Sequence, residues 1–276
     1  MTAVAPPGET VDLPRFRVLS TLVHAVDRDA SAAFLARCLE DRRPHQIVTV
    51  NVDFLRLAQS SAAFSAVING ADLAVPDGKP LVLMARYLGL SACERVTGID
   101  LIETAARLSM EHGHSIFLLG GAEGVAEQAK QALEAGFPGA QICGAYSPPP
   151  AAYPFPPDLD AEITRRVKAA RPDVLFVGFG CPKQDLWIHD HLEALDVPVS
   201  VGIGGSFSFL AGLLPRAPLA LQRLGLEWLF RLYQEPGRLG RRYLREDLPF
   251  VLRLVRLEIG RRLRAGGDPI LEVETR

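Results

Sequence analysis

Asp173-Val-Leu-Phe-Val-Gly-Phe-Gly-Cys-Pro-Lys-Gln-Asp185 shows the repeating unit of this chain. The apolar run at 173–177 reads as a strand buried on both faces. Gly178 and Gly180 free the backbone directly after it, Pro182 suits the first turn of a helix, and a helical pattern runs over 183–194. The same pattern recurs on both sides. Strands are predicted around 18–26, 46–51, 72–75, 115–119, 141–143 and 198–203. Helices are predicted near 30–42, 53–68, 79–88, 99–112, 122–135, 159–170 and 206–212. Short apolar strands, each followed by a helix, predict an α/β fold: a Rossmann-like, mostly parallel sheet with helices on both faces. The segment 147–157 holds six prolines and reads as a loop inside this domain, because strand–helix alternation resumes after it.

The formal net charge of the 276 residues is −2, which argues against a general nucleic-acid binder. That small total hides an asymmetry. Between Arg216 and Arg264 there are twelve arginines, no lysine and five acids, a local excess of seven positive charges. Apolar residues recur among them at three- and four-residue spacing, with Trp228 and Tyr233 included. The chain therefore divides into a Rossmann-like core over 1–215 and a basic, amphipathic helical appendage over 216–276. The appendage reads either as an interfacial helix or as a helical pair packed on the core with its basic face in water. Its apolar surface also allows a homo-oligomer. No stretch of eighteen uncharged apolar residues is present, and residues 1–20 lack the apolar centre of a secretion signal. Cys38, Cys93, Cys143 and Cys181 lie far apart without a C-x-x-C pair, as expected of reduced thiols in a cytoplasmic protein.

In open parallel sheets ligands bind beyond the carboxyl ends of the strands. Thr49 and Asn51 end one strand on the same side and could bind a sugar or phosphate, while helix capping by Asn51 or Asp53 is the commoner use of such residues. Asp77-Gly78 ends another, as a general base or simply as a turn. Gly120-Gly121 could bring backbone N–H groups to a diphosphate, although Gly120, Gly121 and Gly124 lack the dinucleotide spacing. After Gly180, Lys183 and Gln184 open a helix at its positive end. Gly204, Gly205, Ser206 and Ser208 form a further glycine-rich junction. Such junctions side by side predict a long cleft suited to a nucleotide diphosphate.

Taken in order, from about Leu19 to Arg245, these segments resemble the WecG/TagA/CpsF family, glycosyltransferase family 26. The resemblance rests on Thr49-Val-Asn51, Pro76-Asp77-Gly78, Glu94-Arg95-Val-Thr97-Gly98, Leu119-Gly120-Gly121, Gly178-Phe-Gly180-Cys-Pro182-Lys183-Gln184 and Gly204-Gly205-Ser206-Phe207. It continues through Arg216-Ala217-Pro218, Glu227-Trp228-Leu229-Phe-Arg231 and Glu235-Pro236-Gly-Arg238-Leu-Gly-Arg241-Arg242-Tyr243. It implies inverting transfer of a hexose or N-acetylhexosamine from a nucleotide sugar, usually a UDP sugar. The implied acceptor is a polyprenyl-diphosphate-linked glycan on the inner face of the plasma membrane. By the same resemblance Asp77 is the base and Thr49 and Arg95 are catalytic with it, Thr49 and Asn51 line the sugar pocket, Arg95 and Gln184 match further pocket positions, and Arg231, Arg238 and Arg241 reach the diphosphate. Where the family commonly has an aspartate that reads the nucleobase, this chain has Ser208.

No metal or cofactor is expected. Asp27-Arg-Asp29 and Asp158-Leu-Asp160 match the metal-binding Asp-x-Asp pattern, but neither follows a core strand and both read as helix-start acids. Arginine forks can hold a diphosphate in a metal's place. Two rival readings are a nucleotide-sugar epimerase or dehydrogenase and a non-catalytic, membrane-associated nucleotide-binding module. The first needs an early G-x-G-x-x-G and a Tyr-x-x-x-Lys pair, which the sequence lacks. The second would not require Asp77.

Overall fold

The computed structural model describes residues 13–218, 220–221, 225–264 and 270–274, with the backbone alone at 238 and 262–264. The chain opens with β1 (Arg15–Val18), β2 (Thr21–His24), α1 (Arg28–Asp41), β3 (His45–Val50), α2 (Val52–Ala58) and α3 (Ala62–Gly70). It continues through β4 (Leu73–Pro76), α4 (Lys79–Tyr87), α5 (Gly98–His112), β5 (Ser115–Gly120), α6 (Val125–Gly136) and β6 (Gln141–Tyr146). The core closes with α7 (Pro157–Ala170), β7 (Val174–Gly178), α8 (Lys183–Leu195), β8 (Val199–Gly202) and α9 (Ser206–Leu210). A second run follows: α10 (Glu227–Gln234), α11 (Pro236–Gly240), a π-helical turn (Arg241–Asp247), α12 (Leu248–Arg264) and β9 (Leu271–Glu274).

Six strands form a sheet in the order β4-β3-β8-β7-β5-β6, every neighbouring pair parallel. Strand alternation divides its side chains between two cores. Ile47, Leu73, Val201 and Phe176 pack with Leu35 of α1, Ile102 of α5 and Ala129 of α6. On the opposite face, Val48 and Ala74 pack with Phe54, Phe64 and Leu81 of α2, α3 and α4. Leu175 and Val177 on that face pack with Ile163 of α7 and Trp187 of α8. A sheet covered on both faces leaves the ends of its strands for ligands, as the sequence predicts.

Four details differ from the sequence reading. The strand expected at 18–26 is a hairpin, turned at Leu19 with φ 54°, and β1 pairs antiparallel with β2. The helix expected over 53–68 is two, because the Ser61 hydroxyl accepts the Phe64 N–H at 3.2 Å and restarts the chain as α3. Pro182 caps α8 rather than entering its first turn. The appendage is helical only to Arg264, after which β9 pairs antiparallel with β1. Arg17 fixes that return through Glu272 at 3.1 Å and Glu274 at 2.8 Å. Arg223 and Leu224 of the expected amphipathic pattern lie outside the described residues.

Asp27 caps α1 by accepting the Ala30 N–H at 2.7 Å, and Asp158 and Asp160 lie in the first turn of α7. Both Asp-x-Asp pairs are thus helix-start acids. Among the described residues no helix is long and apolar enough to cross a membrane.

Candidate active site

The ends of β4, β3, β8 and β7 open into a cleft of about 920 Å³, walled on one side by the appendage. Thr49, Asn51, Asp77, Arg95, Gln184, Ser206 and Arg231 all line it. A smaller compartment of about 420 Å³ adjoins it, lined by Gly121, Pro148 to Pro150, Phe155, Phe179, Lys183, Phe207 and Ser208. Gly180, Gly204 and Gly205 line both, so the three glycines form the sill between them.

Asp77 follows β4, where its own N–H donates to Val50 O at 2.7 Å. Burial pushes its carboxyl up to about 6, with Arg95 and Arg231 pulling down and Glu227 and Asp100 pushing up. A carboxyl that exchanges its proton near neutral pH at a cleft wall has the property a general base needs. Thr49 is buried and its hydroxyl donates to Gly202 O at 2.8 Å, tying β3 to β8 beneath the cleft. Asn51 fulfils the capping alternative while still lining the cleft: its Oδ1 accepts the N–H groups of Asp53 at 3.0 Å and Phe54 at 3.3 Å.

Cations converge from both parts of the chain. Arg95 is ion-paired with Glu227, the first residue of α10. Arg231, one turn later, lies over the Phe209 ring at 5.1 Å and has no partner at Nε among the described residues. Arg28 and Arg216 meet at Asp100, at 3.0 and 3.6 Å. Asp100 itself closes the capping box of α5 by accepting the Thr97 N–H at 2.9 Å.

The glycine junctions are wired differently from the amide cradle expected of them. Gln184 Oε1 accepts both the Gly180 N–H at 3.2 Å and the Gly204 N–H at 2.9 Å, so a side chain already occupies those amides. The Gly121 N–H is spent on Gly178 O at 3.0 Å. Gly120 lines neither compartment; it has φ 111°, and a Cβ there would stand 2.7 Å from the Gly178 carbonyl carbon, so its role is close strand packing. Ser206 hydrogen-bonds Ile203 O at 2.8 Å, and Lys183 reaches across to Ala151 O at 3.1 Å.

The appendage arginines also separate. Arg231 lines the cleft, whereas Arg241 does not; the Arg241 side chain is 80% exposed and meets Glu246 at 3.4 Å. Arg238 lies in α11 and its side chain falls outside the described residues. Arg242 is on the cleft wall instead, between Asp53 and Asp247 at 3.4 Å each. The sequence reading did not single out Arg28, Arg216 or Arg242 for the site. The Arg216-Ala-Pro and Arg241-Arg242-Tyr243 motifs held the signal for the last two; Arg28 has none beyond following a strand.

The profile of the glycosyl transferase WecG/TagA/CpsF family matches residues 16–264. The N-acetylglucosaminyldiphosphoundecaprenol N-acetyl-beta-D-mannosaminyltransferase of Staphylococcus aureus strain MW2 is 32% identical over 196 residues, 71% of this chain and 74% of the relative. The proteins of that name in strains NCTC 8325 and MRSA252 match to the same extent. The chain belongs to the WecG/TagA/CpsF family and is a glycosyltransferase.

Proposed function

We propose that this enzyme transfers N-acetylmannosamine, with inversion and without a metal, from UDP to a glycan carried on polyprenyl diphosphate, as the name of its staphylococcal relatives suggests for sugar and acceptor. The observation that carries the reading is the meeting of Asp77 with Arg95 and Arg231 at one cleft wall. Asp77 takes the proton of the acceptor hydroxyl as that oxygen bonds to the anomeric carbon. The bond from the anomeric carbon to the donor diphosphate breaks, and UDP leaves with the electron pair. Arginines facing the departing diphosphate stabilise the charge that grows on it.

The two compartments suit the two ends of the donor. The smaller, walled by prolines and by Phe155, Phe179 and Phe207, offers flat apolar surface to a base, with Ser208 as a hydrogen-bonding group. The sugar then lies across the glycine sill, near Thr49, Asn51 and Asp77. With Ser208 in place of the usual acid, the base is read by a hydroxyl, which both donates and accepts.

The appendage surface supports a place on the inner face of the plasma membrane. Leu229, Tyr233, Leu252, Val255 and Ile259 are exposed, while Trp228, Leu244 and Leu248 are both exposed and part of the cleft wall. An apolar surface continuous with the cleft suits an acceptor whose lipid stays in the bilayer. The decisive experiment offers UDP-N-acetylmannosamine with a short-chain polyprenyl-diphosphate-linked N-acetylglucosamine and looks for the disaccharide by mass spectrometry. Failure to extend that acceptor, while another nucleotide sugar or acceptor is used, would refute the assignment.

A further inference from the structure

We infer that Asp185 is an uncharged positioning residue, which holds the Gln184 amide in the orientation that ties together the two glycine turns of the sill. The inference rests on the donor-site reading above, since it concerns the floor on which the donor would lie.

Asp185 is the third residue of α8 and is wholly inaccessible, and it lines neither compartment. Both carboxyl oxygens are buried; the groups that act on them are the Gln184 side-chain amide and the backbone N–H of Asp185 itself, neither at full hydrogen-bond geometry. A Cβ at Gly202 would stand 2.3 Å from Asp185 Oδ1 and 2.8 Å from Gln184 Nε2, so both side chains converge on space that only glycine leaves open. On its other side the Gln184 amide presents Oε1 to the Gly180 and Gly204 N–H groups. Turned end for end, that amide would set its NH₂ against two N–H donors and its oxygen towards Asp185. The two glycine N–H groups set that orientation, and the carbonyl oxygen of the acid, turned to Nε2, backs the far end of the amide and with it the joining of the β7 and β8 loops.

The surroundings favour the neutral acid. β7, β8 and α3 carry no titratable side chain, and β3 carries only His45, which is paired with Asp41 and Asp72. On α7, Asp160 is taken by Trp187 and His191, Glu162 pairs with Arg165 and Arg166, and Asp158 and Lys168 are exposed. Cys181, in the loop before α8, is itself held protonated by burial. Among the described residues no cation compensates a charge on Asp185. Burial outweighs the helix N-terminus and the neighbouring amide, and pushes the carboxyl up to about 8.

The test compares the full chain with Asp185→Asn, which keeps the shape and cannot ionise, and with Asp185→Ala. The unfolded carboxyl releases its proton near pH 4, whereas the native one keeps it to about pH 8. The native chain should therefore lose melting temperature against Asp185→Asn steadily between those values, with the gap level above them. The donor KM should be indifferent to ionisation of Asp185, because a carboxylate accepts the Nε2–H at least as well as the neutral acid does. At pH 7 Asp185→Asn should restore the donor KM that Asp185→Ala raises. A melting gap that does not change with pH, in an active enzyme, would overturn the neutral acid and leave the donor site standing. A widening gap with the same donor KM in Asp185→Asn and Asp185→Ala would reduce Asp185 to a structural residue and overturn its positioning role. A widening gap with no UDP binding at any pH would overturn the donor-site reading and this inference with it.

Discussion

The guanidinium of Arg95 is ion-paired with the carboxylate of Glu227, joining the core to the first helix of the appendage at the cleft that both residues line. The two act on Asp77 in opposite senses: Arg95 favours its charged form and Glu227 its neutral one. The appendage therefore helps set the proton affinity of Asp77. If Asp77 must be ionised to work, kcat/KM should rise with pH through about 6. Glu227→Gln removes a charge that raises the Asp77 pKa and frees Arg95 to lower it further. The acid limb of the profile should move to lower pH, by up to about one unit. An unmoved limb would mean that some other group produces it.

Asp77→Asn should lower kcat by about 10²–10⁴-fold while UDP binding stays near its native value. The same substitution should stabilise the protein. A carboxyl whose native pKa is raised contributes stability at low pH that is lost as pH climbs towards the native value. At pH 7 the native chain therefore bears a penalty of up to about 3 kcal/mol, which asparagine does not. Thermal melts should show the variant ahead at pH 7 and level with the native chain near pH 4. A variant that is both inactive and less stable at pH 7 would point to lost packing rather than a lost base.

Transfer should survive EDTA nearly unchanged, because the charge on the departing diphosphate is assigned to arginines. Complete loss on chelation, restored by Mg²⁺ or Mn²⁺, would require a ligand set that the Asp-x-Asp pairs at the starts of α1 and α7 do not provide.

Much of this arrangement was legible because parallel sheets repeat. The apolar runs ending at Thr49, Asp77, Gly178 and Gly202 fixed both the fold and the end of the sheet to search. Chemistry that depends on distant pairing was not legible. Arg28 and Arg216 meet at Asp100 from far apart in sequence, and no local pattern announces it. Gln184 fills the amides of Gly180 and Gly204, which glycine spacing alone could not reveal. The four residues of β9 alternate like a strand, but their partner lies at the other end of the chain. The resemblance gives Arg231, Arg238 and Arg241 alike, and only the fold separates them, with Arg242 rather than Arg241 on the cleft wall.

That separation can be read by experiment. Arg231→Ala should lower turnover by about 10²–10³-fold, the usual effect of removing one donor from developing charge. Arg241→Ala should have much the smaller effect on a water-soluble acceptor, since its side chain is exposed and paired with Glu246. Equal losses would mean that the appendage closes further when substrates bind.

The apolar residues of α10 should dissociate membrane binding from chemistry, provided the right ones are changed. Trp228 is a poor choice, because it lines the cleft and packs edge-on to Tyr243 with ring centroids 6.2 Å apart. Leu229 and Tyr233 are better: they are exposed, one turn apart on the same helix, and outside the cleft wall. Leu229→Glu with Tyr233→Glu replaces two apolar side chains by two negative charges on a surface expected to face anionic lipid. Each charge should be repelled by about as much as a basic residue is attracted, near 1 kcal/mol, on top of the lost apolar contact. The double variant should therefore stay in the supernatant when sedimented with anionic liposomes that pull down the native chain. Its turnover on a water-soluble acceptor should remain close to native, because neither side chain touches the site. Turnover on an acceptor embedded in liposomes should fall with the binding. If the double variant still sediments with the liposomes, α10 is not the docking surface, and the exposed face of α12, with Leu252, Val255 and Ile259, becomes the one to change.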